Sequence, residues 1–103
     1  MLLVNIEEIP GKKFEVLGLV KGSVVQSKHF GKDLMAGFKT IVGGEIKGYT
    51  EMLTEARQIS TARMVDEATA FGADAILRVT YASASIMQGA AEVMAYGTAV
   101  KFV

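Results

Sequence analysis

The chain has 103 residues, half of them hydrophobic, with 11 basic and 11 acidic side chains, one histidine and no cysteine. That length suits a single domain over 1–103, and the lack of cysteine removes disulfides, thiolate metal sites and cysteine nucleophiles. Balanced charge, with no basic run longer than Lys12-Lys13, offers no means of binding nucleic acid by neutralising phosphates.

Leu2 to Val4 is a short apolar start, closed off by the turn signal Pro10-Gly11. It lacks the basic region of a signal peptide, and Glu7 and Glu8 follow. The run from Phe14 to Ser27 has apolar residues at both parities, so both faces of at least part of this strand are expected to be covered. Gly18 and Gly22 mark a bend, bulge or tight turn within it. From Gly31 to Val42, Leu34, Met35, Phe38, Ile41 and Val42 fall at helical spacing, and Gly43-Gly44 ends that short helix.

A long helix is predicted from Glu45 to Phe71, starting nearer Tyr49 if Gly48 weakens its first turn. Its stripe is Tyr49, Leu53, Ala56, Ser60, Met64, Ala68 and Phe71, broadened by Met52, Ile59 and Val65. Gly72 caps it. Ala75 to Ala82 is a strand, and Ser83 to Gly89 reads as a loop or irregular strand end. Glu92 to Val103 is the last strand. There Val93, Ala95, Gly97, Ala99 and Lys101 share one face, while Met94, Tyr96, Thr98, Val100 and Phe102 share the other. The second, bulkier set is expected against the helices.

The order β-β-α-α-β-β predicts an α+β domain: an antiparallel sheet with a short and a long helix. Mean hydropathy is +0.33, and a chain this small has little private core in which to hide its apolar residues. Charges interrupt every apolar run before the roughly 20 residues a membrane span needs. The surplus, including the wide stripe of the long helix, is therefore expected at contacts between copies of the chain. Absence of cysteine and of targeting signals fits a cytoplasmic protein.

The central stretch DLMAGFKTIVGG (Asp33 to Gly44) is followed by Tyr49, Leu53 and EAR (Glu55 to Arg57). GADAI (Gly72 to Ile76) and YGTAV (Tyr96 to Val100) complete a pattern running from about Gly18 to Val100. The pattern resembles the YbjQ-like family of small uncharacterised bacterial and archaeal proteins. The resemblance implies a β/α subunit of a ring-like homo-pentamer, in a family often labelled as heavy-metal binding. The chain departs from the family where His29-Phe30 stands for Asn-Ile. It departs again after GAD, where a V-G-V-x-x-D pattern gives way to a strand with a bulky Leu77 and a cationic Arg78.

Few residues suggest chemistry. Soft metals prefer thiolates, of which there are none; Met35, Met52 and Met64 lie on helix faces where methionine fills core. His29, the lone histidine, offers one imidazole per copy for a metal at a symmetry axis, or simply caps a helix. Glu51 and Glu55, four apart, form either a hard-cation pair or a solvated face with Arg57. Arg57 would meet a neighbour's carboxylate or a bound anion. Gly43 and Gly44 read as a helix–helix turn, since the phosphate-loop patterns are absent, and Tyr49 as a structural or interface residue. No nucleophile–base pair is visible: His29 near Ser27 or Ser23 lacks a third orienting group. The expectation is a homo-oligomeric, non-catalytic module of unknown activity. The alternative is a protein that binds a metal ion or small ligand between subunits.

Overall fold

The computed structural model describes residues 1–27 and 47–103. Four strands form one sheet in the order β1-β3-β4-β2, with β1 at Leu2–Leu3, β2 at Phe14–Ser27, β3 at Ala75–Met87 and β4 at Ala90–Phe102. The helix α1 spans Lys47–Ala70. The α+β class stands. The short helix predicted over Gly31 to Val42 lies outside the described residues, as do His29, Gly43 and Gly44.

The sheet is mixed, not antiparallel throughout. β2 and β3 each pair antiparallel with β4, but β1 pairs parallel with β3, Leu2 opposite Ala75 and Leu3 opposite Ile76. Two residues suffice because the chain after β1 continues to bond β3, Val79 donating to the Val4 carbonyl at 2.9 Å and Arg78 to that of Ile6 at 3.1 Å. The segment Ser83 to Gly89, expected as a loop or an irregular strand end, carries β3 to Met87 with a register shift between Ser85 and Met87, and turns through Gln88-Gly89 into β4. Small Ser and Ala side chains carry weak strand preference, and pairing with β4 overrides it.

α1 is about 36 Å long at 1.5 Å per residue. It packs Met52, Ala56, Ser60, Met64 and Ala68 against the sheet, all buried at four-residue spacing. Leu53, Ile59 and Val65 flank this line and are packed against the same core. The wide apolar sector of α1 is thus used by its own sheet, contrary to expectation. The helix closes as foreseen: Gly72 takes a positive φ, its N–H donates to Thr69 and that of Ala73 to Ala68, the paired bonds of a Schellman cap. Phe71, placed on the stripe by sequence, follows the last helical residue and is exposed. Asp74, next in the GAD sequence, pins the sheet, its carboxylate accepting from the Phe102 N–H at 2.8 Å.

The face of β4 against α1 is the reverse of the one predicted. Val93, Ala95, Gly97 and Ala99 are buried toward the helix, and Met94, Tyr96 and Thr98 lie half-buried on the far face. The reason is closeness. Gly22 lies directly opposite Ala95, and a Cβ built on Gly22 would run into the Ser60 carbonyl oxygen and the Met64 amide of α1. A helix lying this low on the sheet favours small side chains at the point of approach, such as Ala95 and Gly97 of β4. Among the described residues the far face is covered at one end, where Val4, Ile9, Phe14 and Phe102 pack on Ala75, Leu77 and Val100.

Bulges in β2 between Val16 and Gly18 and in β3 between Leu77 and Thr80 flank β4 and sharpen the twist there. The β3 bulge holds Arg78 at φ 52, left-handed for a residue other than glycine. Arg78 keeps an exposed ion pair with Glu7 at 2.8 Å, the kind of contact worth about 0–1 kcal/mol.

Two variants test this packing. Gly22→Ala drives a methyl into helix backbone and should cost about 3 kcal/mol or more in chemical denaturation; a loss below about 1 kcal/mol would contradict the close approach. Arg78→Val and Arg78→Gly both lose the ion pair, so their difference isolates the backbone. The valine variant should be less stable by about 1–3 kcal/mol, and equal stability would contradict a left-handed residue here.

Candidate functional site

Where α1 lies decides what is left open. It rests on β2 and β4, and the outer part of β3 extends past it. From Tyr81 to Gln88 every residue of β3 and its turn is exposed. Beyond Val79 the outer edge of β3 has no strand beside it among the described residues, and Thr80 to Met87 carries no charged side chain. The other edge, β2, is partly guarded: Arg63 of α1 donates to the Ser23 carbonyl at 2.7 Å and the Glu67 carboxylate accepts from the Lys21 N–H at 3.3 Å. Exposed Leu19 (66%) and Val25 (59%) share the far face of the sheet with Tyr96 and Met94. An apolar groove lined by Leu3, Val4, Ile6, Val79 and Tyr81 runs along the start of the open β3 edge.

The second feature is a cleft between α1 and β3. Thr54, Arg57, Gln58, Thr61 and Tyr81 line its outer part. A tighter inner depression of about 170 Å³ lies between Leu53, Arg57, Tyr81, Ala82, Ser83 and Val93. Arg57 and Tyr81 border both, and each is held by a hydroxyl. Thr54 donates to the Thr50 carbonyl at 2.9 Å and accepts from Arg57 Nη2 at 3.2 Å. Thr61 gives its one hydrogen to the Arg57 carbonyl at 2.6 Å, so in the 2.8 Å contact with Tyr81 it is the phenol that donates. Tyr81 Oη therefore keeps acceptor capacity, and four of the five N–H groups of Arg57 have no partner among the described residues. Among the described residues no carboxylate lies within ion-pair distance of Arg57, and none lines the cleft.

The other described residues singled out by sequence do not gather. Glu51 and Glu55 are exposed on α1, and Tyr49 is half-buried near its start. Among the described residues no three His, Asp or Glu side chains lie close enough together to hold a metal ion. Met52 and Met64 are buried core. The donors among the described residues do not make a heavy-metal centre. Tyr81 went unrecognised in the sequence because its link to Thr61 spans 20 positions. Gly22 was legible only as a possible bend, although it falls at the same strand parity as the inward Val20 and Val24. Among the described residues no helix is long and apolar enough to cross a membrane.

Comparison with known proteins agrees with the sequence pattern. The family described as "YbjQ_1: Putative heavy-metal-binding" matches residues 1–103. A UPF0145 protein of Alkaliphilus metalliredigens is 59% identical over 103 residues, covering all of both chains. One from Clostridium novyi is 59% identical over 101 residues, 98% of each chain, and one from Thermus thermophilus is 58% identical over 102 residues, 98% of this chain and 90% of that protein. Among solved structures, a Pediococcus pentosaceus protein of unknown function in the DUF74 family superposes with a TM-score of 0.65. That superposition covers 100% of this chain and 98% of the other at 13% identity, a likeness of fold. With a match along its whole length and relatives near 59% identity, the chain belongs to the YbjQ-like, UPF0145 family.

Proposed function

We propose that the protein is a non-catalytic assembly module of the cytoplasm that builds closed homo-oligomers through the open edge of β3. The observation that carries this reading is the eight-residue edge from Thr80 to Met87, unpaired among the described residues and free of charge. Such an edge is a template for strand addition unless it is blocked by charge, proline or a covering element. Beside it lie the apolar groove at Val79 and Tyr81 and the exposed Ile86 and Met87. The occupant is a second copy of the chain. β2 and β3 are different edges of one sheet, so pairing the one with the other is head-to-tail, and head-to-tail contacts that close make rings. The pentamer implied by family resemblance is one such ring.

The family description speaks for the second reading, a metal ion bound between copies, with His29, Glu51 and Glu55 as the candidate ligands. The donors among the described residues do not make such a centre by themselves.

Light scattering of the purified protein should give a discrete multiple of the 11.0 kDa chain mass. Ala84→Lys with Ile86→Lys, which charges the β3 edge, should shift it to smaller species without loss of helix. A wild-type monomer at micromolar concentration would overturn the assembly. For the metal, elemental analysis after dialysis and a thermal-shift screen should show neither retained metal nor stabilisation. A stoichiometric metal lost in both His29→Ala and Glu51→Ala would instead establish the second reading.

A further inference from the structure

We propose that the cleft between α1 and β3 is a binding site for a small organic acid, with the carboxylate on Arg57 and the apolar body in the depression behind Tyr81. The inference goes beyond assembly and holds whatever the size of the oligomer.

Three observations carry it. The first is an uncommitted cation. Arg57 Nη2 is fixed by Thr54 at 3.2 Å, which sets the direction of the guanidinium, while its remaining N–H groups have no protein acceptor among the described residues. A planar fork held in this way matches a carboxylate in two-pronged fashion. The second is sign: among the described residues neither part of the cleft is lined by an acidic side chain, and Gln58 and Ser83 add neutral donors. The third is shape. The inner depression of about 170 Å³ has Leu53, Val93 and the Tyr81 ring as apolar walls. At about 30 Å³ per water-sized group, it holds a body of roughly five heavy atoms. A bare inorganic anion would leave those walls wet, whereas an acid with a short branched body covers them.

The polar details narrow the ligand further. Because Thr61 has already given its hydrogen to the Arg57 carbonyl, Tyr81 Oη faces the cleft as an acceptor. A hydroxyl on the body of the acid would find an acceptor there and a second partner in Ser83. Thr54 and Thr61, about two turns apart on α1, hold the two recognition groups before any ligand arrives, which lowers the ordering cost of binding.

Isobutyrate and its uncharged isostere isobutyramide are suitable probes, titrated into the intact protein and followed by backbone amide shifts of Thr61, Tyr81 and Ser83. Isobutyrate should give saturable shifts, and isobutyramide should bind at least about tenfold more weakly. Arg57→Gln should erase the difference between the two while leaving the melting temperature unchanged, as expected for an exposed side chain. Leu53→Phe, which fills the depression, should weaken isobutyrate and leave inorganic phosphate unaffected. Isobutyrate shifts that persist in Arg57→Gln would overturn the proposal. So would equal binding of acid and amide, or phosphate binding more tightly than isobutyrate.

Discussion

The closeness of α1 to the sheet at Gly22 governs the rest of the molecule. With no Cβ on Gly22, the backbone of the helix at Ser60 and Met64 comes down onto the backbone of β2. At that approach the contacts are small, with Ala95 of β4 and Ala56, Ser60 and Ala68 of α1 buried there, while the larger Val20, Val24, Met64 and Val93 fill the core to either side. Ser60 is fully buried and turns its hydroxyl back to the Arg57 carbonyl at 3.1 Å, so the polar atom is satisfied within the helix. A low helix gains dense packing at the expense of width. It covers β2 and β4 and does not reach the outer half of β3.

The exposed features follow from that shortfall. Bulky residues, Met94 and Tyr96 among them, are turned to the far face, where among the described residues the N-terminal segment covers one end. β1 guards the first residues of β3, and among the described residues nothing pairs with the edge from Thr80 onward. The same gap between α1 and β3 leaves the cleft in which Arg57 and Tyr81 converge. One packing constraint thus creates both an assembly edge and a recess beside it. Residues Tyr81 to Ser83 belong to both, so binding in the recess and pairing at the edge share a strand.

Much of the fold was legible because its signals are local. The β2 run, the small-residue line of α1 and the glycine cap at Gly72 can each be read from spacing alone. The parallel pairing of β1 could not be read, because two residues carry no pattern of their own and bonds from Arg78 and Val79 fix the segment. The extension of β3 was hidden by its Ser and Ala content, and the orientation of β4 by a rule of thumb about bulk that a close helix reverses. The apolar surplus was read correctly in amount and wrongly in place: it lies on the sheet, at Val16, Leu19 and Val25, and not on α1. Of the cleft, Arg57 stood out within EAR, whereas Tyr81 gained meaning only when the fold brought it to Thr61.

The central claim is that the outer edge of β3 is covered by another copy of the chain in solution. Amide hydrogen exchange on the intact protein tests it directly. If the edge is paired, the amides between Thr80 and Met87 that point away from β4 should be protected to a degree approaching those of β4 itself. Exchange of those amides at the rate of an open edge, while β4 remains protected, would contradict the account.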